Sequence, residues 1–252
     1  MTSFDQPTAA LPGGISVTHL RVYDTEGPDG LRGGSPHLHF ACSEAYFVEA
    51  GQGAVQTLCQ TGFKEVPLRP GSMVWFTPGL IHRLINHDGR LEIYVVMENG
   101  GLPEHGDSLL TFAPHYLKDE SAYLDVASLS PTGAVFANSA EAARHRRDLA
   151  VEGFLALRQA FESDGASALS EFYDQAVQLM KVKAFEWRQL WEAGPASTIR
   201  RTESYLDALA AGSSTYLSSG AVFDIPVDLK NEARKLGFCG TLRPYFPEGV
   251  SQ

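Results

Sequence analysis

The stretch covering residues 34–86 carries HLHFACSE at positions 37–44 and closes with PGLIHRLIN at positions 78–86. His37 and His39 stand one residue apart, Glu44 follows, and His82 lies farther along the chain. Side chains of an extended strand alternate between its two faces, so His37 and His39 point the same way. Glu44 has the opposite parity. The chain must therefore turn or bulge after His39 to bring the carboxylate to the imidazoles, and the short pair Cys42 and Ser43 permits it.

Working outward, the flanking sequence reads as many short strands. Residues 15–23 alternate well enough for a strand, and 24–35 form a glycine-rich loop leading into the histidine pair. Residues 45–50 and 54–59 read as a hairpin about Gly51-Gln52-Gly53. Strands at 64–68 and 73–76 follow, separated by Arg69-Pro70-Gly71-Ser72. Residues 82–86 and 91–97 read as another hairpin about His87-Asp88-Gly89, with further edge strands expected at 109–112 and 134–136. Short strands joined by Gly and Pro turns indicate an all-β sandwich or barrel.

The second half is different. Apolar residues recur at helical spacing in 149–161, again in 169–191 up to Gly194-Pro195, and more briefly in 199–210. Such stripes are read as helices packing on one another or on the β-domain. Trp187 and Trp191, four apart on one stripe, are expected to be buried against the barrel or a partner subunit. Residues 221–252 read as an irregular, partly extended tail covering something apolar.

The formal net charge is −10, with six basic and twelve acidic residues before position 117. Neither half is basic, and the one basic cluster is Arg144-His145-Arg146-Arg147, so no nucleic-acid partner is expected. Three scattered cysteines, Cys42, Cys59 and Cys239, make neither a disulfide framework nor a CxxC zinc site, which fits a reducing compartment. The amino terminus lacks a signal-peptide pattern and no apolar run is long enough to span a bilayer, so the chain reads as cytoplasmic, with no membrane partner.

The two histidine motifs resemble those of the cupin superfamily, G-x5-H-x-H-x3,4-E-x6-G and G-x5-P-x-G-x2-H-x3-N. His37, His39, Glu44 and Gly51 match the first, with Leu31 in place of the leading glycine. Gly71, Gly79, His82 and Asn86 match the second, with Thr77 in place of the proline. The resemblance implies a cupin-type jelly-roll β-barrel over residues 14–116, while the polar composition of 1–13 reads as a flexible lead and the apolar periodicity reads as a mainly helical C-terminal region over 117–252, in a chain that is mainly β. The resemblance also implies His37, His39, Glu44 and His82 as metal ligands. Three imidazoles and a carboxylate suit Fe, Mn, Co, Ni, Cu or Zn. An octahedral ion would keep two positions open, which favours iron and a dioxygenase acting on a small polar substrate over an isomerase, epimerase or lyase. A ligand-binding sensor without catalysis is the alternative, and a structural metal the bland one. Tyr46 shares parity with Glu44 and is the candidate catalytic residue, with Tyr94 the weaker one on a strand paired to that of His82. His19 is read as a core or surface histidine that could line the pocket, and His87, His105 and His115 as surface residues. Exposed sheet edges make a homodimer the expected assembly.

Overall fold

The computed structural model describes residues 11–130, 136–225 and 233–245. Residues 1–10 of the expected lead, residues 134 and 135 of an expected edge strand, and much of the tail lie outside the described residues. Among those described, the strands are β1 (Ser16–Val22), β2 (His37–Leu38), β3 (Glu44–Ala50), β4 (Gly53–Cys59), β5 (Gly62–Leu68), β6 (Met73–Phe76), β7 (Ile81–Asn86), β8 (Glu92–Met97), β9 (Leu109–Leu110), β10 (Lys235–Leu236) and β11 (Gly240–Pro244). They form two sheets, ordered β10-β11-β1-β8-β3-β6 and β5-β4-β7-β2-β9. Leu20, Tyr46, Val48 and Ile93 of the first sheet meet Val55 and Leu84 of the second in a shared core. This is the jelly-roll architecture, as two facing sheets.

Two expected hairpins are crossings between the sheets. β3 and β4 lie in different sheets, as do β7 and β8. Their connections stack at one end of the sandwich, where the His87 amide donates to the Gln52 carbonyl at 3.0 Å. A Cβ on Gly51 would stand 2.3 Å from the Arg90 carbonyl oxygen and one on Gly53 2.1 Å from that of Ile85, so only glycine fits this corner. Asn86 braces it. Its Nδ2 donates to the Val22 carbonyl at 3.0 Å and its Oδ1 accepts from the Leu91 amide at 3.2 Å. Turn chemistry is local, and it does not encode which sheet the next strand joins.

Every residue of β7 is buried. Strand alternation sends Arg83 and Ile85 away from the histidine face, but not to solvent. The 24–35 loop covers them, and Arg83, 0% exposed, pairs with Asp29 through two nitrogens and donates from Nε to the Gly34 carbonyl at 3.2 Å. His87, in the turn, is exposed.

The C-terminal region contributes α1 (Pro114–Leu117), α2 (Glu120–Ala127), α3 (Ser139–Asp164), α4 (Ala166–Met180), α5 (Ala184–Ala193) and α6 (Pro195–Ala210). Asn138 caps α3, accepting from the Glu141 amide at 3.0 Å. This helix starts ten residues before the apolar stripe because its first turns are buried through Ala142, Ala143 and two arginines. Arg147 donates to the carbonyls of Thr25 at 2.7 Å and Glu26 at 2.8 Å, so the basic cluster is partly an internal clamp. Farther on, a Cβ on Gly153 would reach the Thr111 carbonyl oxygen at 1.9 Å, which shows how closely α3 lies on the sheet. The stripe over 169–191 is interrupted by a 3-10 turn at Lys181–Lys183. Trp187 is buried, with Nε1 donating to the His105 carbonyl at 3.1 Å. Trp191, in the last turn of the same helix, is 37% exposed, against expectation. The tail supplies β10 and β11, so β1 is flanked by a strand from each half of the chain.

Candidate metal centre

β2 and β7 are neighbours, with His37 directly opposite His82, and His39 lies just beyond β2. Between His39 and Glu44 the chain leaves the five-stranded sheet and enters β3 of the other. That change of sheet, larger than the expected bulge, carries Glu44 back over the imidazoles. Asp107 holds the crossing. Its Oδ1 accepts from the amides of Phe40 and Ala41, each at 3.0 Å, and its carbonyl accepts from His39 Nδ1. Asp107 is wholly buried, and nothing in its sequence spacing marks it.

His37, His39, Glu44 and His82 are all buried, and each offers a ligand atom within 4.8 Å of the others. Nδ1 of His37 faces the Ser35 carbonyl at 2.9 Å and that of His82 the Leu80 carbonyl at 3.1 Å, while His39 faces Asp107. A carbonyl only accepts, so each Nδ1 carries the proton and each Nε2 presents a lone pair. Glu44 Oε2 lies 3.0 Å from His82 Nε2 and 3.4 Å from His39 Nε2. Glu44 Oε2 and His82 Nε2 are nonetheless buried without a hydrogen-bond partner. Buried acceptors left unsatisfied in this way are what a divalent cation would complete.

The electrostatics of His37 and Glu44 fit a metal site as well. Burial, reinforced by the neighbouring imidazoles of His82 and His39, holds His37 well below its ordinary pKa. Burial would lower His39 too, but the Glu44 carboxylate overrides it and raises that ring. Burial opposes ionisation of Glu44, and His82 and His39 overcome it, holding the carboxyl well below the usual range. Tyr46 is 1% exposed and its hydroxyl has no partner. Burial and the Glu44 charge push it well above the ordinary phenol pKa, so it keeps its proton. His37, His39, Glu44 and Tyr46 line one end of a cavity of about 430 Å³.

His19 belongs to a different group on the outer face of β1. Its Nε2 lies 2.8 Å from Glu49 and 3.1 Å from Glu92, and its Nδ1 2.6 Å from the Arg234 guanidinium. A guanidinium only donates, which fixes the His19 proton on Nε2. The tautomer is the reverse of that in the three clustered histidines, and His19 offers no lone pair to its carboxylates. Tyr94 packs on His19 with ring centroids 5.0 Å apart. Its strand neighbours β1 and β3, not β7, and strand alternation sets Tyr94 on the face opposite Val95 and Met97, which removes it from the cavity. His87, His105 and His115 are exposed, His105 at the cavity rim.

A family model described as Cupin matches residues 15–106, the segment that carries both motifs and this cluster. Residues 15–106 are a cupin domain. No curated protein matches the sequence. Among solved structures, this chain is similar to Bacillus subtilis oxalate decarboxylase at 14% identity and a TM-score of 0.34, over 44% of this chain and 27% of that one. It is also similar to the TDP-fucose-3,4-ketoisomerase of Campylobacter jejuni, at 8% identity and a TM-score of 0.28, over 32% and 58% of the two chains. A Klebsiella pneumoniae protein with a double-stranded β-helix domain matches at 19% identity and a TM-score of 0.26, over 34% and 67%. The match thus spans little more than a quarter of the decarboxylase.

Proposed function

We propose that this chain is a metal-dependent enzyme, its divalent ion held by His37, His39, Glu44 and His82, and that it is an iron dioxygenase of a small organic substrate. The observation that carries the reading is the convergence of three imidazole lone pairs and one ionised carboxylate at the end of an open cavity. Four protein ligands leave an octahedral ion two further positions. Bound there, the ion would supply Lewis-acid and redox chemistry. The chain's own part is positional. Backbone carbonyls fix the three imidazoles, Asp107 fixes the crossing that aims Glu44, and Tyr46 would offer its O–H to a bound substrate. Elemental analysis of protein purified without added metal tests the centre. Oxygen uptake by the Fe(II)-loaded protein against catechols, thiols and diketones tests the reaction. Bound metal with no uptake above a metal-free control removes the dioxygenase and leaves the isomerase, epimerase and lyase readings.

The sensor reading keeps one supporting observation, the direct contact of α3 with the cavity wall through Arg146 and Phe238. A homodimer is the assembly supported by the edge strand β6, where Met73 and Trp75, 62% and 72% exposed, stand beside the half-exposed Phe47. Light scattering after gel filtration is expected to give twice the chain mass, and Trp75→Lys to return it to the monomer's.

A further inference from the structure

We infer that the ligand of this cavity is a monoanion with an apolar body: one carboxylate or enolate head, and a hydrocarbon or aryl chain carrying no second charge. The inference rests on the proposed metal centre, toward which the head would point. The walls are Leu20, Val95 and Met97 from β1 and β8, and Leu236, Phe238 and Leu242 from the tail. Apart from Glu44, the ionisable side chains that line the space beyond the histidines are Tyr46 and Cys239, both buried with their pKa values raised by burial, and Glu104, His105 and Lys235, all exposed and therefore at the rim. Arg146, the guanidinium nearest this wall, is turned to other work. It lies 4.8 Å over the Phe238 ring and donates to the carbonyls of Ala127 at 3.1 Å and Gly237 at 2.7 Å.

Charge then selects the head. A divalent ion with neutral imidazoles and one carboxylate keeps a single positive charge, which one anionic head neutralises. A second carboxylate inside the cavity would meet no cationic side chain short of Lys235 at the rim, and the several hydroxyls of a sugar would outnumber the few wall hydroxyls of Ser16, Thr18 and Ser108, so burial of either is unfavourable. The volume of about 430 Å³ lies in the lower part of the range for small-molecule sites, and suits one ring or a short chain. This narrows the small polar substrate expected from the sequence to an amphipathic one. Phe238 is central, because its ring meets that of His37 edge-on at 5.5 Å, bringing the apolar wall up to the proposed ligands.

The test uses full-length protein loaded with Mn(II), its metal content measured first, and titration calorimetry with acetate, butanoate, hexanoate and adipate. Affinity is expected to rise roughly three- to fourfold per methylene from acetate to hexanoate, as buried methylenes do. Adipate, which matches hexanoate in carbon number but ends in a second carboxylate, is expected to bind at least tenfold more weakly, on the order of one unmatched charge. Leu242→Asn and Leu236→Ser, checked for fold by circular dichroism, are expected to flatten the series, weakening hexanoate more than acetate. If metal is bound and the series is flat, or adipate equals hexanoate, the inference is wrong and the metal centre stands. If no metal is bound at the four residues, the centre fails and the inference with it.

Discussion

His82 and His87 sit five positions apart on one strand and its turn, yet their surroundings are opposite. The first is wholly buried with its Nε2 unsatisfied, and the second is exposed. His37→Ala, His39→Ala or His82→Ala is therefore expected to lower metal affinity by more than about tenfold, because each removes a nitrogen donor from a set fixed by backbone carbonyls. His87→Ala and His115→Ala are expected to leave metal content unchanged. Metal analysis alongside thermal melts checks both, and a folded His82→Ala that keeps its metal would sink the register. Asp29 is a separate case. Burial disfavours its ionised form, but the Arg83 guanidinium overrides this and lowers its pKa. A carboxyl depressed on folding stabilises fully above its unfolded pKa, about 3.9, and that stabilisation disappears as pH falls through the folded value. Asp29→Asn leaves Arg83 buried beside a neutral amide and is expected to cost about 3 kcal/mol or more at neutral pH. Urea unfolding at pH 7 and pH 3 tests this: the gap between wild type and variant must shrink at the lower pH.

At the scale of elements, what the sequence disclosed and what it hid separate by the range of the interaction. The strand parity of His37 and His39, and the spacing of Gly79, His82 and Asn86, are local, and the cluster they promise is assembled. The destination of each strand is not local. Gly51-Gln52-Gly53 looks like a hairpin turn, and only its contact with Arg90 and Ile85 makes it a corner between sheets. Likewise, α3 conceals its first buried turns because Arg146 and Arg147 read only as a short basic cluster until their carbonyl partners are known. Asp107 lacks any motif because it satisfies two backbone amides, not a ligand. The segment around Gly237 is held by Arg146 from α3 and by the Tyr23 hydroxyl at 3.0 Å. Arg146→Met keeps much of the side-chain bulk over Phe238 but removes the donor. It is expected to destabilise by about 1–3 kcal/mol and to weaken hexanoate binding more than acetate binding. Equal weakening of both would show that Arg146 does not hold the wall.

For the whole molecule, the question is whether the helices are an addition to the cupin domain or part of its core. Phe154, Leu169, Phe172 and Leu179 from α3 and α4 share one buried cluster with Leu38, Ile81, Leu109 and Leu110 from the histidine-bearing sheet. Thr111 ties the two through Oγ1, which donates to the Ala150 carbonyl at 2.9 Å. At the opposite sheet, β11 pairs with β1 over five residue pairs and puts Cys239 beside Ser35 and His37. A chain ending at residue 138 would lose both. It would expose the apolar outer face of β2, β7 and β9 and leave β1 as an open edge beside the cavity. Exposed apolar area and a bare edge strand are the two commonest routes to association. The truncated chain is therefore expected to aggregate, or to melt more than about 10 °C below the full chain, at roughly 2–4 °C per kcal/mol for a protein of this size. Thermal melts and light scattering on the two chains decide it. A truncated chain that is monodisperse, melts within about 2 °C of the full chain and binds metal equally would make the helices an independent module and overturn this account of the core.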